Sequence, residues 1–254
     1  GVPHTIKYDE ITVVHGFERS AKDFPSKNAM IFLDAKISFK KMQSMVNKIA
    51  NALIDFGVKP GDKVAMLMPN MPQIVIGSYA AWKIGAVVVM NNPLYTDHEL
   101  EHQLNNSEST VLITLDLLGP RMIALRPKTQ VKKIIVAHIR DHLGFPKKQL
   151  LPIVAKANHK NIPPTPEVYE WTDLLKKYPD KDPGNMAKFN DLATLQYTGG
   201  TTAVSKGAML SHKNLVRNFL AAADVFQMGP KDSYLNILPV CHVGGRLGNY
   251  QTQY

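Results

Sequence analysis

Apolar residues fall into two alternating periods along much of the chain. Met42, Val46, Ile49, Leu53 and Phe56 recur at spacings of three and four, which marks one face of an amphipathic helix. Residues 36–39 before them read as a short strand. Gly57 behind them suits the left-handed position that ends many helices. Pro60-Gly61-Asp62 is a turn, and residues 64–68 form a short apolar strand. The pair then repeats. Residues 73–84 predict a helix ended by Gly85, and residues 86–90 are apolar throughout, as in a strand buried on both faces. Asn91-Asn92-Pro93 breaks that strand, and Thr96 can cap a helix running through Leu104. Residues 110–114 and 133–137 read as further strands, with a helix over about 118–125 between them. Such alternation argues for an α/β domain with a largely parallel sheet.

The segment 140–191 differs. It is rich in Lys and Pro, and reads as surface loop with one or two helices. Residues 193–197 then form a strand and residues 208–210 are apolar again. Ser211 can cap a helix carrying Leu215, Phe219, Ala222 and Ala223.

Composition narrows the picture little. The chain has 254 residues, 44% hydrophobic and 20% charged, enough to bury a sizeable core. The most apolar stretch, 74–90, carries Lys83, Gly77 and Gly85 and is short for a membrane span, so a helix followed by a buried strand explains it better. The formal net charge of +9 favours anionic partners. The lysines are scattered, and no nucleic-acid-binding signature accompanies them. Cys241 is the only cysteine, so no internal disulfide exists. It reads as a packed thiol in a reducing compartment.

The sharpest chemical signal is Tyr197-Thr198-Gly199-Gly200-Thr201-Thr202-Ala203-Val204-Ser205-Lys206-Gly207, set between two strand-like segments. Adjacent glycines let backbone N–H groups approach an anion closely. Thr198, Thr201 and Thr202 add hydroxyl donors, and Lys206 a mobile positive charge. The spacing excludes a P-loop, which needs Gly before its Lys, Ser or Thr after it, and a helix directly behind. A Gly/Thr-rich hairpin turn without a ligand fits the same residues. A second pattern, His98-Glu99-Leu100-Glu101-His102, matches the zinc-protease spacing and would place both imidazoles on one helix face. An ordinary surface helix is the better reading of it.

The stretch from Tyr197 to His212 resembles the signature of the adenylate-forming (AMP-binding) enzymes, and its Thr-Gly-Gly-Thr-Thr core is most similar to long-chain fatty-acid-CoA ligases. Ala203 departs from the family's usual Gly, and Ser205 from its frequent Pro. Three further stretches resemble family motifs in the family's order: Ile37-Ser38-Phe39-Lys40 with the helix and turn to Val64, Trp82 to Tyr95, and Leu238-Pro239-Val240-Cys241-His242-Val243-Gly244-Gly245.

The resemblance implies a fold, a site and an activity. The fold is the large N-terminal α/β domain, incomplete, with about 65–225 as a first α/β subdomain, 1–64 and 226–254 as parts of a second, and the C-terminal domain absent. Thr198, Gly199, Gly200, Thr201, Thr202 and Lys206 are implied to grip the phosphates of ATP. His242 is implied to gate the acyl site or contact the carboxylate. No metal ligand is assigned within the chain. In the intact enzyme, a carboxylic acid, above all a long-chain fatty acid, would react with ATP and Mg2+ to acyl-adenylate, and coenzyme A would then accept the acyl group. The fragment alone is expected to be inactive. Other acyl- or aryl-CoA ligases, an acyl-AMP ligase and a non-catalytic nucleotide-binding homologue stay open. The expected partners are fatty acid, ATP and coenzyme A, with no nucleic acid. The expected location is cytoplasmic, with room for peripheral membrane contact and a homodimer.

Overall fold

A computed structural model describes residues 9–144, 146–154, 159–197, 205–227 and 229–245. The chain opens with helix α1 (Val13–Asp23) and a hairpin of β1 (Asn28–Phe32) and β2 (Ala35–Ser38), whose two-residue turn Leu33-Asp34 has both φ angles positive. Helix α2 (Phe39–Asp55) follows at once, capped by the Ser38 hydroxyl, which accepts from Lys41 N–H. Then come β3 (Lys63–Leu67), α3 (Pro72–Lys83), β4 (Val87–Met90), α4 (Asp97–Asn106), β5 (Ser109–Leu115), α5 (Gly119–Leu125) and β6 (Lys133–Ala137). The chain continues through α6 (Lys147–Val154), β7 (Val168–Glu170), α7 (Trp171–Lys177), β8 (Leu192–Tyr197), β9 (Gly207–Ser211) and α8 (His212–Phe226).

Seven strands form one sheet in the order β7-β6-β5-β3-β4-β8-β9, parallel except for β9, which returns antiparallel to β8. The parallel α/β fold expected from the alternating periods is the observed one. Helices that were legible at 73–84, 97–104 and 118–125 fall on α3, α4 and α5. Gly57 and Gly85 take the left-handed conformation at the two helix ends, with φ of 85° and 74°. Three elements carried no sequence signal: α1, β1 and the short edge strand β7, which lies inside the Lys- and Pro-rich segment.

Alternate residues of each central strand enter opposite cores. Val64 and Met66 of β3, Val88 and Met90 of β4, and Val111 and Ile113 of β5 pack with α1, α2, α3, α7 and α8. Ala65, Leu67, Val89 and Leu112 pack on the other face under α4 and α5. Covered on both faces, β4 has no polar position to alternate with. Every residue of α3 is buried, Gln73, Ser78 and Lys83 included, so this helix has no solvent-facing polar side. Trp82 Nε1–H donates to Ala193 O at 2.7 Å, tying α3 to β8. No helix among the described residues is long and apolar enough to cross a membrane.

The strand order reverses between β3 and β5: β4 lies to one side of β3, and β5, β6 and β7 to the other. In sheets of this kind the crevice at the carboxyl ends of such strands is where ligands bind.

Candidate functional site

The glycine- and threonine-rich loop leaves the carboxyl end of β8 and returns as β9, where Tyr197 pairs with Gly207. Gly207 sits beneath the Tyr197 ring, and a Cβ there would come within 3.3 Å of it. Thr198, Gly199, Gly200, Thr201, Thr202 and Ala203 lie outside the described residues. Lys206, at the returning foot, is exposed.

Both feet of the loop rest on α4. Tyr197 Oη donates to Asn106 Oδ1 at 2.7 Å and lies 3.3 Å from Gln103 O. On the other side, Gln103 Nε2 donates to Ser205 Oγ at 3.3 Å, and His102 Nε2 lies 3.4 Å from Ser205 O. Gln103 is itself fixed, because its Oε1 accepts from Asn91 Nδ2 at 2.8 Å at the end of β4. Sequence reasoning missed this platform, since a lone Gln and a lone Asn on a helix carry no pattern.

The same geometry disposes of the zinc-protease pattern. Glu99 is the third residue of α4, and its carboxylate accepts from the N–H of Thr96 at 2.7 Å while Thr96 Oγ1 accepts from Glu99 N–H. That capping box leaves Glu99 engaged as a helix cap. His98 is exposed, and His102 faces Ser205.

The segment bearing His242 is brought to the same edge of the sheet. Asn70, just past β3, donates from Nδ2 to Leu238 O at 2.7 Å and to Asn236 O at 3.3 Å, and its Oδ1 accepts from Val240 N–H at 2.8 Å. Gln196 of β8 donates to Cys241 O at 2.7 Å. Val240 and Cys241 are buried, and burial raises the Cys241 thiol pKa. His242 is exposed, with its N–H donated to Pro239 O. A Cβ on Gly245 would collide with the backbone of Leu238 and Pro239, so glycine lets the chain fold back tightly there. The strand carrying one foot of the loop thus also holds the His242 segment. Asn70 and Gln196 are positioning residues that no motif announced.

The resemblance to ATP-using enzymes implies Mg2+ alongside the nucleotide. Among the described residues, the only group of three candidate metal ligands is Asp116, His138 and His159. It is nitrogen-rich and stands at the ends of β5 and β6, away from the loop, so it does not fit Mg2+, which prefers oxygen ligands.

Comparison with known proteins agrees with this architecture. Residues 17–252 match the family described as AMP-binding enzyme. The long-chain-fatty-acid–CoA ligase of Bacillus subtilis (strain 168) is 36% identical over 254 residues, covering 96% of this chain and 44% of that protein. The ligase of the same name from Yersinia pestis is 32% identical over 255 residues, covering 95% and 44%. The crystal structure of a long-chain-fatty-acid-CoA ligase from Archaeoglobus fulgidus superposes with a TM-score of 0.79 at 24% identity, over all of this chain and 47% of that one. ATP-bound MatB from Rhodopseudomonas palustris gives 0.74 at 25% identity, over 95% and 43%. The chain therefore spans less than half the length of the curated relatives it matches. With that match running over nearly its whole length, the chain belongs to the AMP-binding enzyme family.

Proposed function

We propose that this chain carries the phosphate-gripping part of an ATP-dependent ligase that activates a long-chain fatty acid. The observation that carries the reading is the joint anchoring of the β8–β9 loop and the His242 segment by Gln196 and Tyr197 on one strand. The names of the relatives and the ATP bound to MatB support the substrates. A fatty carboxylate attacks the α-phosphorus of ATP, and pyrophosphate leaves. The thiol of coenzyme A then attacks the acyl carbonyl, and AMP leaves. Thr198, Gly199, Gly200, Thr201, Thr202 and Lys206 hold the β- and γ-phosphates and offset charge gathering on the leaving pyrophosphate. His242 stands at the acyl side. Mg2+ enters with ATP, and no described residue is given as its ligand.

The division at about residues 65–225 is supported by one seven-stranded sheet that runs from Lys63 to Ser211, so its first strand begins two residues before that limit, with the β1–β2 hairpin outside it. Past α8, the exposed apolar Leu235, Ile237 and Val243 suit a packing surface for a second subdomain. A cytoplasmic enzyme meeting an apolar acid at a membrane surface suits the net charge of +9.

In the full-length protein, Lys206→Ala is expected to lower the rate of fatty-acid-dependent ATP–pyrophosphate exchange by roughly 10²–10³. An unchanged rate would remove the loop from the chemistry. The 254-residue chain alone is expected to form no acyl-CoA.

A further inference from the structure

At the carboxyl ends of β5 and β6, three potential metal ligands converge from three separate loops. Asp116 directly follows β5 and is fully buried. His138 directly follows β6, and His159 precedes β7. Their ligand atoms all lie within 4.8 Å of one another. Asp116 Oδ2 is 2.9 Å from His138 Nδ1 and 2.8 Å from His159 Nδ1, and it also accepts the Lys160 N–H at 2.8 Å. The other carboxylate oxygen, Oδ1, accepts the Leu117 N–H at 2.9 Å.

Each imidazole also has an oxygen partner at its outer nitrogen. His138 Nε2 lies 2.7 Å from Glu170 Oε2, and His159 Nε2 lies 3.1 Å from Asn161 Oδ1. A neutral imidazole has a single N–H. In the tautomer that donates it outward to these oxygens, each Nδ1 presents a lone pair to the buried carboxylate. Two nitrogen lone pairs and a carboxylate oxygen repel unless positive charge lies between them. Two protons supply that charge, and so does one divalent cation. An imidazole whose second nitrogen donates to a carboxylate is also how metal-bound histidines are held.

We propose that Asp116, His138 and His159 form a binding site for one divalent transition-metal ion of the zinc class. Two nitrogens and one carboxylate oxygen favour zinc, cobalt or nickel over magnesium or calcium. The present spacings are those of hydrogen bonds. Bonds of about 2.0–2.1 Å in a tetrahedral site set ligand atoms roughly 3.3 Å apart. Binding therefore lengthens the two carboxylate–imidazole spacings by about half an ångström and expels the bridging protons. The His159 side chain is 13% exposed, which gives the ion a way in. Three protein ligands leave a fourth position for water. The site lies three strand spacings from β8, about 14 Å at 4.8 Å per strand, so it is distinct from the phosphate loop.

The test is metal uptake by the full-length protein after chelation, titrated with CoCl2 and separately with ZnCl2. One equivalent of Co2+ should bind, with the visible absorption of a four-coordinate site, and zinc should displace it. His159→Ala should weaken binding at least 100-fold. Glu170→Gln, behind His138, should weaken it roughly 10–100-fold. His98→Ala should leave it unchanged. Zinc should raise the melting temperature of the wild type but not of His159→Ala. Absence of stoichiometric uptake, uptake unaffected by His159→Ala, or uptake lost with His98→Ala would each overturn the proposal. Because His159 is on the rim of the cluster, its variant is expected to fold even where His138→Ala does not.

Discussion

His212 is a titratable group that the fold holds in its neutral form. It begins α8, lies 1% exposed with its ring edge-on to Trp82 at 6.3 Å, and neither ring nitrogen has a hydrogen-bond partner. Burial lowers its pKa to about 4, with Asp191 opposing the shift and His15 adding to it. The unfolded chain takes up this proton near pH 6.5, well before the folded one does. Stability contributed by the neutral ring is therefore complete above about pH 6.5 and falls as the pH drops toward 4, by up to about 3 kcal/mol. His212→Phe keeps the packing and removes the proton. Urea unfolding at pH 7.5 and pH 5 should show a smaller acid loss in the variant than in the wild type, and equal losses would contradict the assignment. At this scale the sequence was only partly legible. The loop residues announced themselves by type and spacing, whereas Asn70 and Gln196 are single amides whose importance comes from backbone atoms up to 170 positions away.

Helix α4 shows how an element can be read correctly and its purpose missed. Thr96 was visible as a cap, and it does cap, in a reciprocal box with Glu99. What the cap serves is a platform beneath both feet of the β8–β9 loop, through Tyr197, Asn106 and Gln103. Tyr197→Phe removes the 2.7 Å bond to Asn106 while keeping the ring over Gly207. It is expected to cost about 1 kcal/mol. In the full-length enzyme this should raise the KM for ATP about fivefold, with little change in kcat. A fall in kcat at constant KM would mean that the platform acts on the reacting groups themselves. The short strand β7 escaped notice for a different reason. It has three residues and only β6 beside it, so neither length nor alternation marks it out.

Across the whole molecule, one buried cation joins distant segments. Lys83, at the end of α3, is 1% exposed and pairs with Glu18 of α1 at 2.5 Å and with Asp182 at 2.9 Å. Its carbonyl also accepts the Met186 N–H at 2.8 Å. Replacing Glu18 and Asp182 together by alanine leaves the ammonium buried without a partner, at a cost of about 3–5 kcal/mol. Lys83→Met, which keeps the stem and removes the charge, should cost clearly less in chemical denaturation. Equal costs would show that packing, not pairing, holds α1 in place. The α/β class was legible because strand and helix periods alternate from residue 60 to 140. The meeting of Asp116 with His138 and His159 was not, because positions 22 and 43 residues apart become neighbours only through the strand order.

That strand order also dictates when the β8–β9 hairpin can form. Its supporting strand β8 pairs with β4, joining Val88 to Thr194 and Met90 to Gln196. More than a hundred residues separate the partners, so this ladder forms late, after a long chain closure. During synthesis the apolar flank of β4 waits, unpaired, until β8 has left the ribosome. An exposed apolar strand edge is a template for association with other chains. The nascent protein thus passes through a stage in which an apolar edge stands open that the β8–β9 hairpin later covers.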